Sequence, residues 1–168
     1  YTYGDLMGGD ANKGSTAADQ SDFTLLETFS FTTDNSYIKR KWVAVYDAVA
    51  RANNVMHLAG LIKDELSAIP GQEKDFYTEA IAQARFMRGF YLFEGIKNFG
   101  AAIPYVSLED YESSVNPLIS NVDESGNYIY IWEQVAEDLQ YAYDNLPGAW
   151  REEPGRANKW AAGAFLAK

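Results

Sequence analysis

The chain has 168 residues, enough for one domain with a sizeable core, and its 24 acidic and 14 basic residues leave a formal charge of −10. That balance argues against nucleic acid, whose phosphates call for clustered Lys and Arg, and disfavours an anionic lipid surface. Disulfides and thiolate metal sites are excluded because there is no Cys, and no apolar run approaches the roughly 20 residues of a membrane helix.

From Tyr1 to Asn35 no helical period persists, and Gly4, Gly8, Gly9 and Gly14 mark loops and turns. Phe29 to Thr33 alternates briefly and reads as a short extended piece. Asn35 and Ser36 are cap candidates for a first long helix. Ile38, Trp42, Val45, Val49, Ala52, Met56 and Ala59 step by four and three along it, which puts them on one face. Pro70-Gly71 stops it.

A second helix is predicted from about Glu73 to Asn98, with Phe76, Ala80, Ala84, Met87, Tyr91 and Ile96 as its stripe. Gly100 and Pro104 end it, and the short turn before it implies an antiparallel hairpin. Ala101 to Ser125, containing Pro104 and Pro117, is a long connection of the kind that often carries function. A third helix follows from about Tyr128 to Asn145, its stripe being Tyr128, Ile131, Val135, Leu139 and Ala142. A fourth begins near Asn158, with Trp160, Ala161, Ala164 and Phe165 on its apolar side. The fold class expected is all-α: tetratricopeptide-like helical hairpins with long irregular loops, an irregular region over 1–35 and a helical scaffold over 36–168. Ala80, Ala84, Gly89, Gly95, Ala161 and Gly163 are small enough to let helices approach closely. Neither end carries a start or stop signal, so the chain reads as a piece of a longer protein.

Catalytic motifs are missing from this sequence: there is no nucleophile elbow, phosphate-binding Gly-rich loop or dinucleotide fingerprint. His57 is the only histidine and reads as a satisfied helix-surface residue. The adjacent acids Asp64/Glu65, Glu109/Asp110, Asp123/Glu124 and Glu152/Glu153 read as solvated surface rather than a glycosidase pair. Arg85 and Arg88 interrupt the second helix, and Asp138 on the third is their expected structural partner. Calcium takes six to eight oxygens and could draw on Asp10, Asp19, Asp22, Asp34, Glu109 and Asp110. Their spacing fits no EF-hand loop, so no cofactor is expected.

Four landmarks stand in order along the chain. Trp42-Val43-Ala44-Val45-Tyr46 precedes Arg51-Ala52-Asn53-Asn54, and Ala84-Arg85-Phe86-Met87-Arg88-Gly89-Phe90-Tyr91 leads to Asn98-Phe99-Gly100-Ala101-Ala102-Ile103-Pro104. Tyr130-Ile131-Trp132-Glu133 then leads into Glu137-Asp138-Leu139 and Asn145-Leu146-Pro147, and Gly155-Arg156-Ala157-Asn158-Lys159-Trp160 opens the last helix. This pattern resembles the amino-terminal half of SusD/RagB-type proteins, over about Gly4 to Lys168. Asn158 stands where that family often has Thr, and Asn caps a helix equally well.

The resemblance implies a non-catalytic, surface-exposed lipoprotein of the outer membrane in Bacteroidetes-type bacteria. It would be anchored through a Cys upstream of Tyr1 and would touch the membrane only through that lipid. It implies two partners: an oligosaccharide or polysaccharide (peptides in some members) and a SusC-like TonB-dependent transporter that receives the cargo. It also places part of the ligand surface in the loop before the Trp-containing helix, here Gly9 to Asp22. Asp10, Asn12, Lys13, Asp19 and Gln20 are therefore the candidate ligand-binding residues, with Tyr1, Tyr3 and Phe23 the nearest aromatics. Trp150 is a second candidate platform, though packing accounts for it too. The alternatives are a helical protein- or peptide-binding scaffold without glycan affinity, and a glycan-cleaving enzyme.

Overall fold

Asn35 starts the first long helix by the chemistry expected of a cap. Its carbonyl accepts from the Lys39 amide, and its side-chain oxygen accepts from the amides of Tyr37 and Ile38 at 3.1 and 3.4 Å. In the computed structural model, which describes residues 2–16, 18–113 and 118–168, the chain is helical throughout its ordered elements. A π-helical turn, Thr2–Leu6, comes first. It is followed by α1 (Ser21–Glu27), α2 (Ser36–Leu61), α3 (Lys63–Ser67), α4 (Phe76–Phe99), α5 (Leu108–Ser113), α6 (Trp132–Asn145) and α7 (Lys159–Leu166). Among the described residues, pairing is limited to the isolated bridges Pro70–Asp75 and Val122–Tyr128. The chain divides into compact units of residues 1–44 and 45–168.

The second unit is built around α4. Along α2, Val45, Val49, Ala52, Met56 and Ala59 are buried at the predicted spacing. Val45 meets Gly95 late in α4, while Met56 and Ala59 cluster with Ile81 and Ala84 early in it, so the two helices run antiparallel. The adjoining face of α4 carries α6, which in turn carries α7, and Arg88 reaches both α2 and α6. A helix covered by two neighbours buries a broad face instead of a narrow stripe. Glu79, Ile81, Ala82, Ala84, Phe86, Arg88, Gly89, Leu92, Gly95 and Ile96 are all buried. Phe76 and Met87, expected in the core, are exposed instead, because they share the face of α4 that α2 and α6 leave uncovered. Phe165 closes the core edge-on against Phe86, Phe90 and Phe93.

Three other expectations change. In the first unit, Trp42 is 38% exposed, since the buried face of α2 starts a turn later at Val45. Phe29 to Thr33 is not extended: Phe29 adopts φ +53° in a turn closed by the Ser30 amide on the Leu25 carbonyl at 2.9 Å. The third helix starts at Trp132 rather than Tyr128, because Asp123 holds 123–127 as a turn through the amides of Ser125 and Asn127 at 2.9 and 2.8 Å. Tyr1 and Pro117 lie outside the described residues.

Charge ties the helices together where apolar contact leaves off. Asp138 of α6 is fully buried and accepts from Arg88 Nε at 2.6 Å, Arg88 Nη2 at 2.8 Å and Arg85 Nε at 2.8 Å. Arg88 Nη1 also donates to Asn53 Oδ1 of α2 at 2.7 Å, and Asn53 Nδ2 donates to the Val106 carbonyl at 2.9 Å. Burial works against the Arg88 charge, but the Asp138 bonds and charge outweigh it and leave its pKa above the ordinary value. Tyr105 lies under the Arg88 guanidinium, 5.1 Å from it. Burial first, and the Asp138 charge second, push its phenol up to about 12.

Helix starts follow the same logic. Asp75 caps α4 by accepting from Thr78 N at 2.9 Å and Thr78 Oγ1 at 2.7 Å, and those bonds hold its carboxyl below the usual range. Glu79 Oε1 gathers the amides of Gln72, Glu73 and Lys74 at 2.8, 2.7 and 3.1 Å, fixing the turn that feeds the helix. Asn158 caps α7 through Ala161 N at 3.0 Å, as its place before Lys159 predicts.

Gly89, Gly95 and Gly163 sit where helices touch. A Cβ on Gly89 would lie 3.1 Å from Leu139 Cγ and 3.2 Å from Asp138 Cβ, and Asp138 is held by two arginines. Gly89→Ala is therefore expected to destabilise by about 1–3 kcal/mol despite the better helix propensity of Ala. Gly60→Ala, with nothing within 4 Å of its Cβ, is expected to be neutral or stabilising by up to about 1 kcal/mol. Urea denaturation of the two variants checks the contrast.

Candidate functional site

Within the first unit, a π-helical turn and the residues after it fold back on themselves. The amides of Asp10 and Ala11 both donate to the Asp5 carbonyl, at 2.9 and 3.1 Å. Asn12 Oδ1 then accepts from Gly14 N at 2.7 Å, a side-chain turn that suits Asn. These bonds shape a groove of about 340 Å³ whose walls include Leu6, Met7, Asp10, Asn12, Glu27 and Phe29.

The structure brings two of the five candidates, Asp10 and Asn12, into this groove. Lys13 turns away from it: its ammonium donates to the Asp19 carbonyl and to Thr24 Oγ1 at 2.9 Å, stapling the loop to α1. Gln20 has φ +45° and accepts from the Tyr37 hydroxyl at 2.6 Å. The Asp19 amide donates to the Thr16 carbonyl at 3.1 Å. Lys13, Asp19 and Gln20 thus organise the loop and do not line the groove.

The aromatics follow a similar division. Phe23 is edge-on to Tyr37, and the Tyr3 hydroxyl donates to the Tyr37 carbonyl at 2.6 Å. Phe29 is the ring that reaches the groove, and it is 65% exposed. Sequence reading passes over it because a left-handed φ on a bulky residue leaves no trace in composition or period. The left-handed residue ends α1, with the Phe29 and Ser30 amides on the Leu26 and Leu25 carbonyls at 3.2 and 2.9 Å.

In the second unit a groove of about 410 Å³ is lined by Gln72, Phe76, Trp150, Arg151, Glu153 and Arg156, among others. Trp150 is built into the structure there. Its indole N–H donates to the Ala157 carbonyl at 2.7 Å, and the Arg156 guanidinium covers its ring at 4.4 Å. These two contacts hold the ring in place.

The acids read as surface or turn residues behave as such. Asp110 Oδ2 accepts from Ser107 N at 3.0 Å and Ser107 Oγ at 2.6 Å, capping α5. Asp22 Oδ2 accepts from Ser36 N at 2.9 Å, and bonding to the Ser36 side chain first, and to this amide second, lowers its pKa. Glu153 pairs with Arg156, and His57 Nδ1 lies 2.8 Å from Glu112 Oε1. Among the described residues, no three His, Cys, Asp or Glu side chains gather in a cluster that could hold a metal ion.

A family model, SusD-like and described as starch-binding associating with outer membrane, matches residues 6–168. A SusD-like protein of Bacteroides ovatus is 28% identical over 141 residues, covering 84% of this chain and 23% of the relative. SusD-like protein P2 of Formosa agariphila is 29% identical over 144 residues, covering 84% of this chain and 25% of the relative. The chain therefore spans about a quarter of the length of these relatives.

A ring kept in a strained turn for binding should come at a cost to the fold. Phe29→Gly relieves the left-handed backbone and gives up little buried area, so it is expected to stabilise by roughly 1 kcal/mol. Thermal denaturation checks this, and an unchanged or lower melting temperature would show that the ring packs rather than waits for ligand.

Proposed function

The chain belongs to the SusD-like family, and from that premise we propose that it captures oligosaccharide or polysaccharide at the cell surface and passes it to a SusC-like TonB-dependent transporter. The observation that carries this reading is the family match itself, which runs from residue 6 to 168 and so covers the loop region as well as the helices. We place the protein on the outer membrane through a lipid anchor. Among the described residues, no helix is long and apolar enough to cross a membrane.

The groove beside the first turn is the proposed contact for sugar. Phe29 offers a ring face, while Asp10 and Asn12 offer oxygens to adjacent hydroxyls. Lys13, Asp19 and Gln20 serve this site by holding the loop that frames it. The role is binding rather than catalysis. Asp110 and Asp123, from two of the adjacent acid pairs, are engaged by local backbone and side-chain donors, which supports that reading.

Titration calorimetry with maltoheptaose and soluble starch tests the proposal. Saturable binding is expected, and Asp10→Ala or Asn12→Ala is expected to weaken it roughly two- to tenfold, the share of one hydrogen bond. An absence of binding to any glycan, with tight binding to a peptide, would contradict it.

A further inference from the structure

The segment leading into α6 carries an aromatic surface that the fold does not use. Tyr128, Tyr130 and Trp132 are 63%, 61% and 51% exposed, while Ile131 among them is 1% exposed and anchored in the core. Tyr128 bridges to Val122, and alternate residues of an extended segment share a face, so Tyr128 and Tyr130 project together. Among the described residues, neither hydroxyl has a hydrogen-bond partner and none of the three rings stacks on another. Rings left this exposed, with their polar tips unused, are out of keeping with simple packing.

The surface is also rigid before any ligand arrives. The Ile129 amide donates to the Asn121 carbonyl at 2.9 Å, and the Ile131 amide to the Ala101 carbonyl at 3.1 Å. Asp123 accepts from Ser125 N, Asn127 N and Asn127 Nδ2 at 2.9, 2.8 and 3.1 Å, which locks the hairpin tip. Little conformational freedom remains to be lost on binding.

Charge narrows the occupant. Between Lys97 and Arg151 the chain has no Lys or Arg, and Asp123, Glu124 and Glu133 stand within five residues of the three rings. A uronate or sulfated chain would meet repulsion here, whereas an uncharged sugar presents apolar ring faces to the aromatics and hydroxyls to the tyrosines. We infer that Tyr128, Tyr130 and Trp132 form a second glycan-contacting platform, separate from the groove at Phe29, that takes a neutral polysaccharide. The inference rests on the proposed glycan-binding role and adds a second place of contact and a charge class to it.

Native-gel affinity electrophoresis tests it in gels holding soluble starch, galactomannan or polygalacturonate. The protein is expected to be retarded by a neutral glycan and not by polygalacturonate. Tyr128→Ala, Tyr130→Ala and Trp132→Ala are each expected to weaken that retardation roughly two- to tenfold, with the triple variant losing more. Trp132→Phe supplies a gentler check: glycan-induced quenching of tryptophan fluorescence is expected in the native protein and reduced in this variant. If the native protein is retarded by none of the three, the glycan-binding reading itself falls. If the native protein and the triple variant are retarded alike, the platform alone is overturned, and a protein becomes the occupant to seek. Stronger retardation by polygalacturonate than by the neutral chains overturns the charge argument.

Discussion

One buried carboxylate holds this scaffold in register. Asp138 lies on α6 with no exposure to solvent, and it is engaged by two arginines one turn apart on α4. Through Arg88 the network extends to Asn53 on α2, and through Asn53 to the backbone at Val106. A buried ion pair adds little net stability over a well-packed apolar substitute, because both charges must leave water. Its force is conditional. Once one partner is in place, the others must be too, since a lone charge there would be strongly destabilising. Gly89 belongs to the same constraint, because its missing Cβ is what lets α4 approach Asp138 and Leu139.

The acids elsewhere are spent in a comparable way. Asp22, Asp75, Asp110, Asp123 and Glu79 each accept backbone amides at a helix start or a turn. These five acids shape loops and helix starts. The rings proposed for contact with sugar are Phe29 in the first unit, and Tyr128, Tyr130 and Trp132 in the second, all exposed.

Much of the scaffold is legible in the sequence, and the reasons are physical. From Val45 to Ala59, α2 has one covered face, so its period reads directly. Asn35, Asn158 and Gly100 mark helix ends by local chemistry that needs no tertiary context. The Arg85, Arg88 and Asp138 contact is legible because charges on an apolar face need a partner. The buried face of α4 is not, since a helix covered by two neighbours widens its apolar stripe and blurs its own period. Short helices such as α1 and α5 also escape, because caps and neighbours decide them rather than length. Of the five loop candidates, Asp10 and Asn12 line the groove, while the place of Phe29 there depends on a backbone angle that no residue pattern reveals.

The central claim is that Arg88 and Asp138 act as one unit, and a double-mutant cycle in urea measures it most directly. Asp138→Asn alone is expected to cost about 3–5 kcal/mol. Combined with Arg88→Met, the loss is expected to fall short of the sum of the two singles by about 1.5–3 kcal/mol. Additive losses, or a loss below about 1 kcal/mol for Asp138→Asn, would show that the pair is incidental to the fold.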